Sequence, residues 1–213
     1  MHYLLKSCIP VADMIAGTFG PRCEVAVHDL TQPESSVVYV ANGTVTGRRI
    51  GQSFDHLVRQ VLMNPDFHDD RVINYTFETA DGRPIKSSSA LIRDENGQVI
   101  GMLCINYDIS LEQQLQGALA GFLGAAPQPV PKQTGDVTGE VETILQGLIE
   151  RIIGDADVRN MPRRKSVELI RFMDEKGIFL VKGAVEKVAA LMGVSKVTVY
   201  SYLNEAREKE AEA

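Results

Sequence analysis

Val185-Glu186-Lys187-Val188-Ala189-Ala190-Leu191-Met192-Gly193-Val194-Ser195-Lys196-Val197-Thr198-Val199-Tyr200-Ser201-Tyr202-Leu203-Asn204 reads as two helices joined by a tight turn. Ala189 is small where the helices must approach closely, and Gly193 can take the positive φ that the turn requires. Val188, Val194 and Val199 supply an apolar interior, with Tyr202 and Leu203 closing its far end. The Ser195 hydroxyl is placed to accept from the backbone N–H of Val197 or Thr198 and so cap the second helix. This is the pattern of a helix-turn-helix. With those positions inside, the outer face of the second helix is Lys196, Val197, Tyr200, Ser201 and Asn204. That face suits a DNA major groove. Lys196 would bind phosphate or guanine, Val197 would meet a thymine methyl, and Ser201 and Asn204 would read base edges. Ser195, Thr198 and Tyr200 complete the expected DNA-binding set, with Thr198 and Tyr200 fixing backbone phosphates. The rival reading is a small-molecule-binding or dimerisation module whose helical hairpin makes protein contacts.

The distribution of charge agrees with a nucleic-acid partner at this end of the chain. The 213 residues carry a net charge of −6, but residues 160–204 hold 8 Lys/Arg against 4 Asp/Glu. Residues 1–159 hold 12 against 20, and residues 205–213 hold 2 against 4. One modestly basic block thus sits between an acidic domain and an acidic tail. Upstream of the motif, Arg163-Arg164-Lys165 precedes an amphipathic helix over 166–176 with Val167, Ile170, Phe172 and Met173 apolar. The basic triplet either touches phosphates or is a solvated helix start. Ile178-Phe179-Leu180-Val181 is a short apolar connector after Gly177.

Gly124-Ala125-Ala126-Pro127-Gln128-Pro129-Val130-Pro131 can neither continue a helix nor join a central strand, so residues 121–139 are expected to link two domains, 1–120 and 140–213. Just after it, Val137, Val141, Ile144, Leu145, Leu148, Ile149 and Ile152 form a helical stripe, which either seals a dimer or packs on its own domain.

Before the linker the order of signals is helix, two strands, a helical middle and three strands. Leu4, Leu5, Cys8, Ile9, Ala12, Ile15 and Phe19 recur at helical spacing, with Pro10 kinking or restarting the helix and Gly20-Pro21 ending it. Residues 23–28 alternate as a strand, and 37–40 form a second that leads to the turn dipeptide Asn42-Gly43. Ser53 can cap a short helix with Phe54, Leu57, Val58, Val61 and Leu62 on one stripe. From 72 to 108 three β-rich segments are separated by Thr79-Ala80-Asp81-Gly82 and Asp94-Glu95-Asn96-Gly97, both with hairpin chemistry. The last segment, 99–108, is apolar enough to be central, and it passes through Asp108-Ile109-Ser110 into a helix over 111–119. This parts list resembles a PAS domain, whose exit tripeptide into the signalling helices is similar. The fold class expected is therefore α+β, a PAS-like antiparallel sheet domain followed by a small all-α helix-turn-helix domain.

Polar residues on strands that otherwise read as core nominate a site for a small polar, amino-acid-like effector. Asn74 and Tyr75 open the meander, Lys86 and Ser88 lie in its middle strand, and Asn106 interrupts the last. His28, Asn42 and Arg48 are further candidates, Arg48 for gripping a carboxylate. Buried polar groups need partners. The alternative is a half-exposed sheet whose polar residues face water.

Other chemistries have thin support. Cys8, Cys23 and Cys104 are an odd number without C-x-x-C spacing, which disfavours a disulfide framework or zinc module. Asp66-Phe67-His68-Asp69-Asp70 reads as a solvated acidic loop rather than a metal site, and Cys104 with His28 makes a poor nucleophile-base pair in an apolar strand. With no phosphate-cradling glycine loop, zincin helix or serine elbow, the chain is expected to be no enzyme and to need no cofactor. It begins without a basic n-region and long apolar run and holds no bilayer-spanning stretch, so the cytoplasm is the expected compartment, with no membrane partner.

Taken together, the chain resembles the YheO-like transcriptional regulators, which pair a PAS-like domain with a C-terminal helix-turn-helix and include the D-arginine utilisation regulators. The resemblance rests on residues 20–30, on 41–51, on Asp94-Glu95-Asn96-Gly97 with residues 101–106, and most specifically on Lys176-Gly177-Ile178-Phe179-Leu180-Val181-Lys182-Gly183-Ala184-Val185. The run 194–200 is also similar to the start of the recognition helix of lactose-repressor-like proteins. The resemblance implies double-stranded DNA as partner. A dimer follows because one helix-turn-helix makes a small contact and two half-sites are usually joined.

Overall fold

The computed structural model describes residues 1–54, 57–124, 139–154, 158 and 161–211. Helix α1 (Tyr3–Phe19) runs unbroken through Pro10 and ends where Gly20 turns at φ 79°. Strands β1 (Cys23–Asp29), β2 (Val37–Ala41), β3 (Arg71–Glu78), β4 (Pro84–Arg93) and β5 (Val99–Asp108) form one sheet in the order β2-β1-β5-β4-β3, with every neighbour antiparallel. The expected central place of residues 99–108 is found. A π-helical turn, Leu57–Leu62, fills the helical middle with Leu57, Val58, Val61 and Leu62 all buried. The cap expected from Ser53 falls on neighbours outside the described residues.

Strand β1 departs from the half-exposed alternation expected of it, because all seven of its residues are buried. Val25 and Val27 meet the α1 side in one apolar cluster, while Glu24, Ala26 and His28 point to the other face of the sheet. Gly101 of β5 lies close under α1. A β-carbon there would strike the Leu5 side chain and stand 2.5 Å from the His28 carbonyl.

After β5, Asp108 Oδ1 accepts from the Ser110 N–H at 2.9 Å, and the chain turns into α2 (Ser110–Leu123). This helix runs past the expected end at 119 into the expected linker. Gly121 alone costs a helix only about 1 kcal/mol, and the helix stops where Gly124 takes φ 68°. The proline-rich run itself, and Val137 of the expected stripe, lie outside the described residues.

The second part is helical: α3 (Gly139–Ile153), α4 (Arg163–Glu175), α5 (Ala184–Met192) and α6 (Lys196–Ala211), with a 3₁₀ turn at Ile178–Leu180 in the place of the expected connector. Arg163-Arg164-Lys165 form the first turn of α4 rather than preceding it, because Pro162 holds the N-cap position and its carbonyl accepts from Ser166 at 3.1 Å. The α3 stripe Val141, Ile144, Leu145, Leu148, Ile149 and Ile152 is buried within this one chain. It shares a continuous apolar cluster with Leu30, Phe54 and Val58 of the sheet domain and with Ile170, Met173 and Val188 of the helical one. Arg151 reaches the Leu30 carbonyl at 3.4 Å across that junction. Among the described residues no helix is long and apolar enough to cross a membrane.

Gly101→Ala is expected to lower stability by about 1–3 kcal/mol, since the β1 backbone must shift to admit one methyl. Denaturant unfolding monitored by far-ultraviolet circular dichroism checks it, and an unchanged midpoint would contradict this packing.

Candidate DNA interface and sensor site

The turn between α5 and α6 is built as its sequence prescribes. Gly193 takes φ 66° and donates to the Ala190 carbonyl at 3.2 Å, while the Ser195 hydroxyl accepts from the Thr198 N–H at 3.1 Å. Val188, Ala189, Val199 and Leu203 are buried, so α6 is anchored by one side only. On the other side Val197 and Tyr200 are 77% and 55% exposed, an arrangement that costs solvation unless something covers it. Lys196, Ser201 and Asn204 are exposed on the same face, Ser195 is exposed at its start, and Thr198 is half-buried.

The structure adds Arg163, which the sequence left undecided. From the first turn of α4 it lies over the Tyr202 ring, 5.2 Å from the centroid, and reaches Glu205 at 2.9 Å and the Ser201 hydroxyl at 3.5 Å. Arg163, Val197, Tyr200, Ser201 and Asn204 line one open concavity with Glu205 and Glu208. Lys196, expected to be free for DNA, is held by Glu186 of α5 at 2.7 Å, and the lysine keeps that carboxyl below the usual range. Both partners are more than half exposed, so solvent screens the pair and it yields readily to phosphate.

In the sheet domain, strand parity divides the eight residues proposed for an effector. Arg48, Tyr75, Asn106 and His28 lie on the face away from α1. Lys86 and Ser88 do not: they pair across to Tyr107 and Ile105, on the α1 side. Their neighbours Ser87 and Ser89 are the buried ones, sharing the parity of Ile85 and Leu91. Asn74 sits exposed in a bulge at φ 60°, its N–H donating to the Ser88 hydroxyl at 3.1 Å. Asn42 is a tie of the fold, its amide donating to the Gly20 and Cys23 carbonyls at 3.1 and 2.8 Å.

At the centre of the inner face is a residue that the sequence reading passed over, Glu24, which is fully buried. Its carboxylate accepts from Arg48 at 3.2 Å, from Asn106 at 2.8 Å, and from the Thr46 N–H and hydroxyl at 3.0 and 2.8 Å. Ser87 donates to the Asn106 side-chain oxygen at 2.8 Å, and the Tyr75 hydroxyl lies 2.8 Å from that of Ser89. The register aligns Glu24, Asn106, Ser87 and Tyr75 in one rung across β1, β5, β4 and β3. The polar groups thus find partners in one another, a reason for their burial that the expected ligand was meant to supply. Burial pushes the Tyr75 phenol up to about 12, with the nearby Cys104 thiol adding to the effect. Burial also pushes the Cys104 thiol up, and Ser89 bonds its sulfur at 3.1 Å, while the His28 ring lies 3.0 Å from the Ser36 hydroxyl. Beside Arg48 opens a cleft of ≈260 Å³, lined also by Thr46, Gln52, Phe77, Glu78 and Thr79. In the acidic loop, Asp70 grips Arg93 and Asp69 lies 3.7 Å from Arg71. Among the described residues no three His, Cys, Asp or Glu side chains converge as a metal site.

Residues 1–124 match the YheO-like PAS domain, and residues 144–204 match an HTH domain. The chain is similar to YheO of Escherichia coli (strain K12), with 32% identity across 95% of this chain and 84% of that protein. It is also similar to the transcriptional regulator DauR of Pseudomonas aeruginosa, with 32% identity across 96% of this chain and 95% of that one. Among solved structures, the PAS domain of a protein from Colwellia psychrerythraea is 21% identical, covering 48% of this chain and 98% of its own, with a TM-score of 0.35.

Arg48→Met is expected to cost about 3–5 kcal/mol, because it strands a buried carboxylate, and adding Glu24→Gln should restore much of that. Equal stability of wild type and Arg48→Met in urea would contradict the pairing. For Tyr75 the folded pKa is raised, so its contribution is whole below pH 10 and is lost as pH rises from 10 through about 12. Over that window wild type should lose up to about 2–3 kcal/mol that Tyr75→Phe does not lose, which unfolding at stepped pH would show.

Proposed function

Because the chain belongs to the YheO-like family of PAS-domain proteins, we propose that it is a cytoplasmic, sequence-specific DNA-binding transcriptional regulator. On this reading it acts as a homodimer, and its PAS-like domain answers to a small polar effector. The observation that carries the DNA function is the one-sided burial of α6. Its inner positions are locked in the core, while Lys196, Val197, Tyr200, Ser201 and Asn204 stand outside with nothing from the described chain over them but side-chain tips. Such a helix is rigid, projecting and amphoteric, as groove insertion requires. A hairpin used for protein contacts would serve equally with an apolar outer face. Here Ser201, Asn204 and Lys196 make that face polar, which favours base edges and phosphates.

For the effector, the cleft beside Arg48 is the best-supported place. At ≈260 Å³ it suits a molecule of amino-acid size, and its lining holds both Arg48 and Glu78. An effector there would touch the segment that carries Thr46 and Arg48, and through Glu24 the strand that leads to Asp108. It would alter DNA affinity only by favouring one arrangement of the following helices.

Lys196→Ala and Ser201→Ala are each expected to weaken binding to a site selected from genomic fragments by about 1–3 kcal/mol without changing thermal stability. Titration over a salt series measures both, and wild-type affinity should fall steeply with salt through counterion release. Unchanged affinity in the double variant, or salt-insensitive binding, would refute the groove assignment. A thermal-shift screen of amino acids, polyamines and organic acids, followed by DNA titration with any hit, tests the sensor. A confirmed ligand that leaves DNA affinity unchanged would reduce that domain to a platform.

A further inference from the structure

Helix α2 is out of keeping with the rest of the molecule. None of its 14 residues is buried, yet Leu111, Leu115, Leu119, Phe122 and Leu123 are 49%, 62%, 58%, 86% and 67% exposed. At 100° per residue these side chains, with Ala118, cover a continuous arc of about 140°. Leu111, Leu115, Ala118 and Phe122 step by four, three and four, the spacing of a seam between two helices. We propose that this stripe is the surface on which two copies of the chain pair.

Three observations select a second copy as the occupant. Residues 125–138 hold only two large apolar side chains, Val130 and Val137, beside three prolines, so that segment lacks the composition to cover five. The α3 stripe, which the sequence offers as a dimer seam, is already buried in the core that joins the two domains, and the exposed apolar residues of α1, Tyr3, Val11, Met14 and Phe19, lie beside charged Lys6 and Asp13 on that helix. Charge decides between like and unlike partners. The single charged residue of α2, Glu112, is gripped by both terminal nitrogens of Arg22 at 2.8 Å, and the rest of the helix is Gln, Gly, Ala, Ser and apolar. Two copies can therefore meet along it without like-charge repulsion, and an acidic or basic partner finds nothing to complement. The arrangement rests on the regulator reading only in what it is for: it would set two α6 helices on one duplex.

Sedimentation velocity of the full chain should show a dimer at micromolar concentration. Leu115→Glu with Leu119→Glu should raise the dimer dissociation constant by on the order of 100-fold or more, as charges are forced into an apolar seam. Circular dichroism should be unchanged, because both residues face water within one chain. A wild-type monomer at tens of micromolar, or a variant that pairs like wild type, overturns the proposal. If the glutamate variant does not fold, Leu115→Cys replaces it: rapid disulfide-linked dimer under mild oxidant, absent from wild type with its own three cysteines, supports the seam, and none overturns it. The Lys196→Ala, Ser201→Ala variant separates the two readings, since it should lose DNA and remain dimeric. A wild type that pairs through α2 but retains no specific DNA would sink the regulator and leave the seam standing.

Discussion

A carboxylate sealed inside a sheet is the constraint on which the N-terminal domain turns. Glu24 is fully buried, and an unpaired charge in that position would cost several kcal/mol. Two separate parts of the chain answer it: Arg48 and Thr46 from the segment after β2, and Asn106 from β5. Ser87 then satisfies Asn106, which extends the constraint into β4. Apolar alternation bars a slip of one residue, which would turn the core side chains to the opposite face, but it discriminates less against a slip of two. A rung that must align Glu24, Asn106, Ser87 and Tyr75 bars that as well, because a two-residue shift keeps the face and separates the partners. The same network places Arg48 at the mouth of the cleft, so the group that stabilises the fold also forms the wall that an effector would meet.

The junction between the two domains is of a different kind. Here α3 inserts its apolar stripe between Leu30 and Phe54 on one side and Ile170, Met173 and Val188 on the other, within one cluster. Gly177, at the end of α4, is close enough to the π-helical turn that an added β-carbon would lie 3.5 Å from Arg59. A shared core of this kind is close-packed and responds to displacement by repacking rather than by bending. The helical part is thereby seated on the sheet domain through α3. The π-helical turn therefore meets the helical part through this shared core, besides the covalent connection through α2.

How much of this was legible in the sequence follows from the range of each interaction. The helix-turn-helix was read almost whole, down to the Ser195 cap, because its determinants lie within 20 consecutive residues and each has a local cause. The meander was legible for the same reason, through two Asp/Asn-Gly turns, and the central place of residues 99–108 through the apolar character of that run. The inner face of the sheet was not. Polarity alone does not separate Lys86 and Ser88 from Ser87 and Ser89; parity does, since Ile85 and Leu91 flank the serines at odd positions and mark the buried side. Glu24, an acid in an apolar strand, reads as the exposed half of an alternation. Only the covering of β1 on both faces makes it internal, and that covering comes from α1 on one side and from residues far along the chain on the other. The helix limits slipped where one residue was asked to stop a helix alone: Gly121 did not, and Gly124 did, because there the backbone takes the left-handed turn.

The electrostatics of the reading face bear on how the chain would discriminate. Both cations that flank α6 are already engaged, Lys196 by Glu186 and Arg163 by Glu205, and the whole molecule is acidic. A surface of this kind has little long-range pull on DNA, since charges beyond about 8 Å are screened at physiological salt. Each cation can exchange a solvent-screened carboxylate, exposed at Glu186 and half-buried at Glu205, for a phosphate, so close contact is favourable once it is made. Phosphate contacts of this short range would seat the helix, and discrimination would fall to the groups placed to read base edges: Val197, Ser201 and Asn204. A single face of that size is too small for a useful affinity. A second copy would double the phosphate contacts and the reading groups together, and the exposed stripe on α2 offers a seam for it without adding charge.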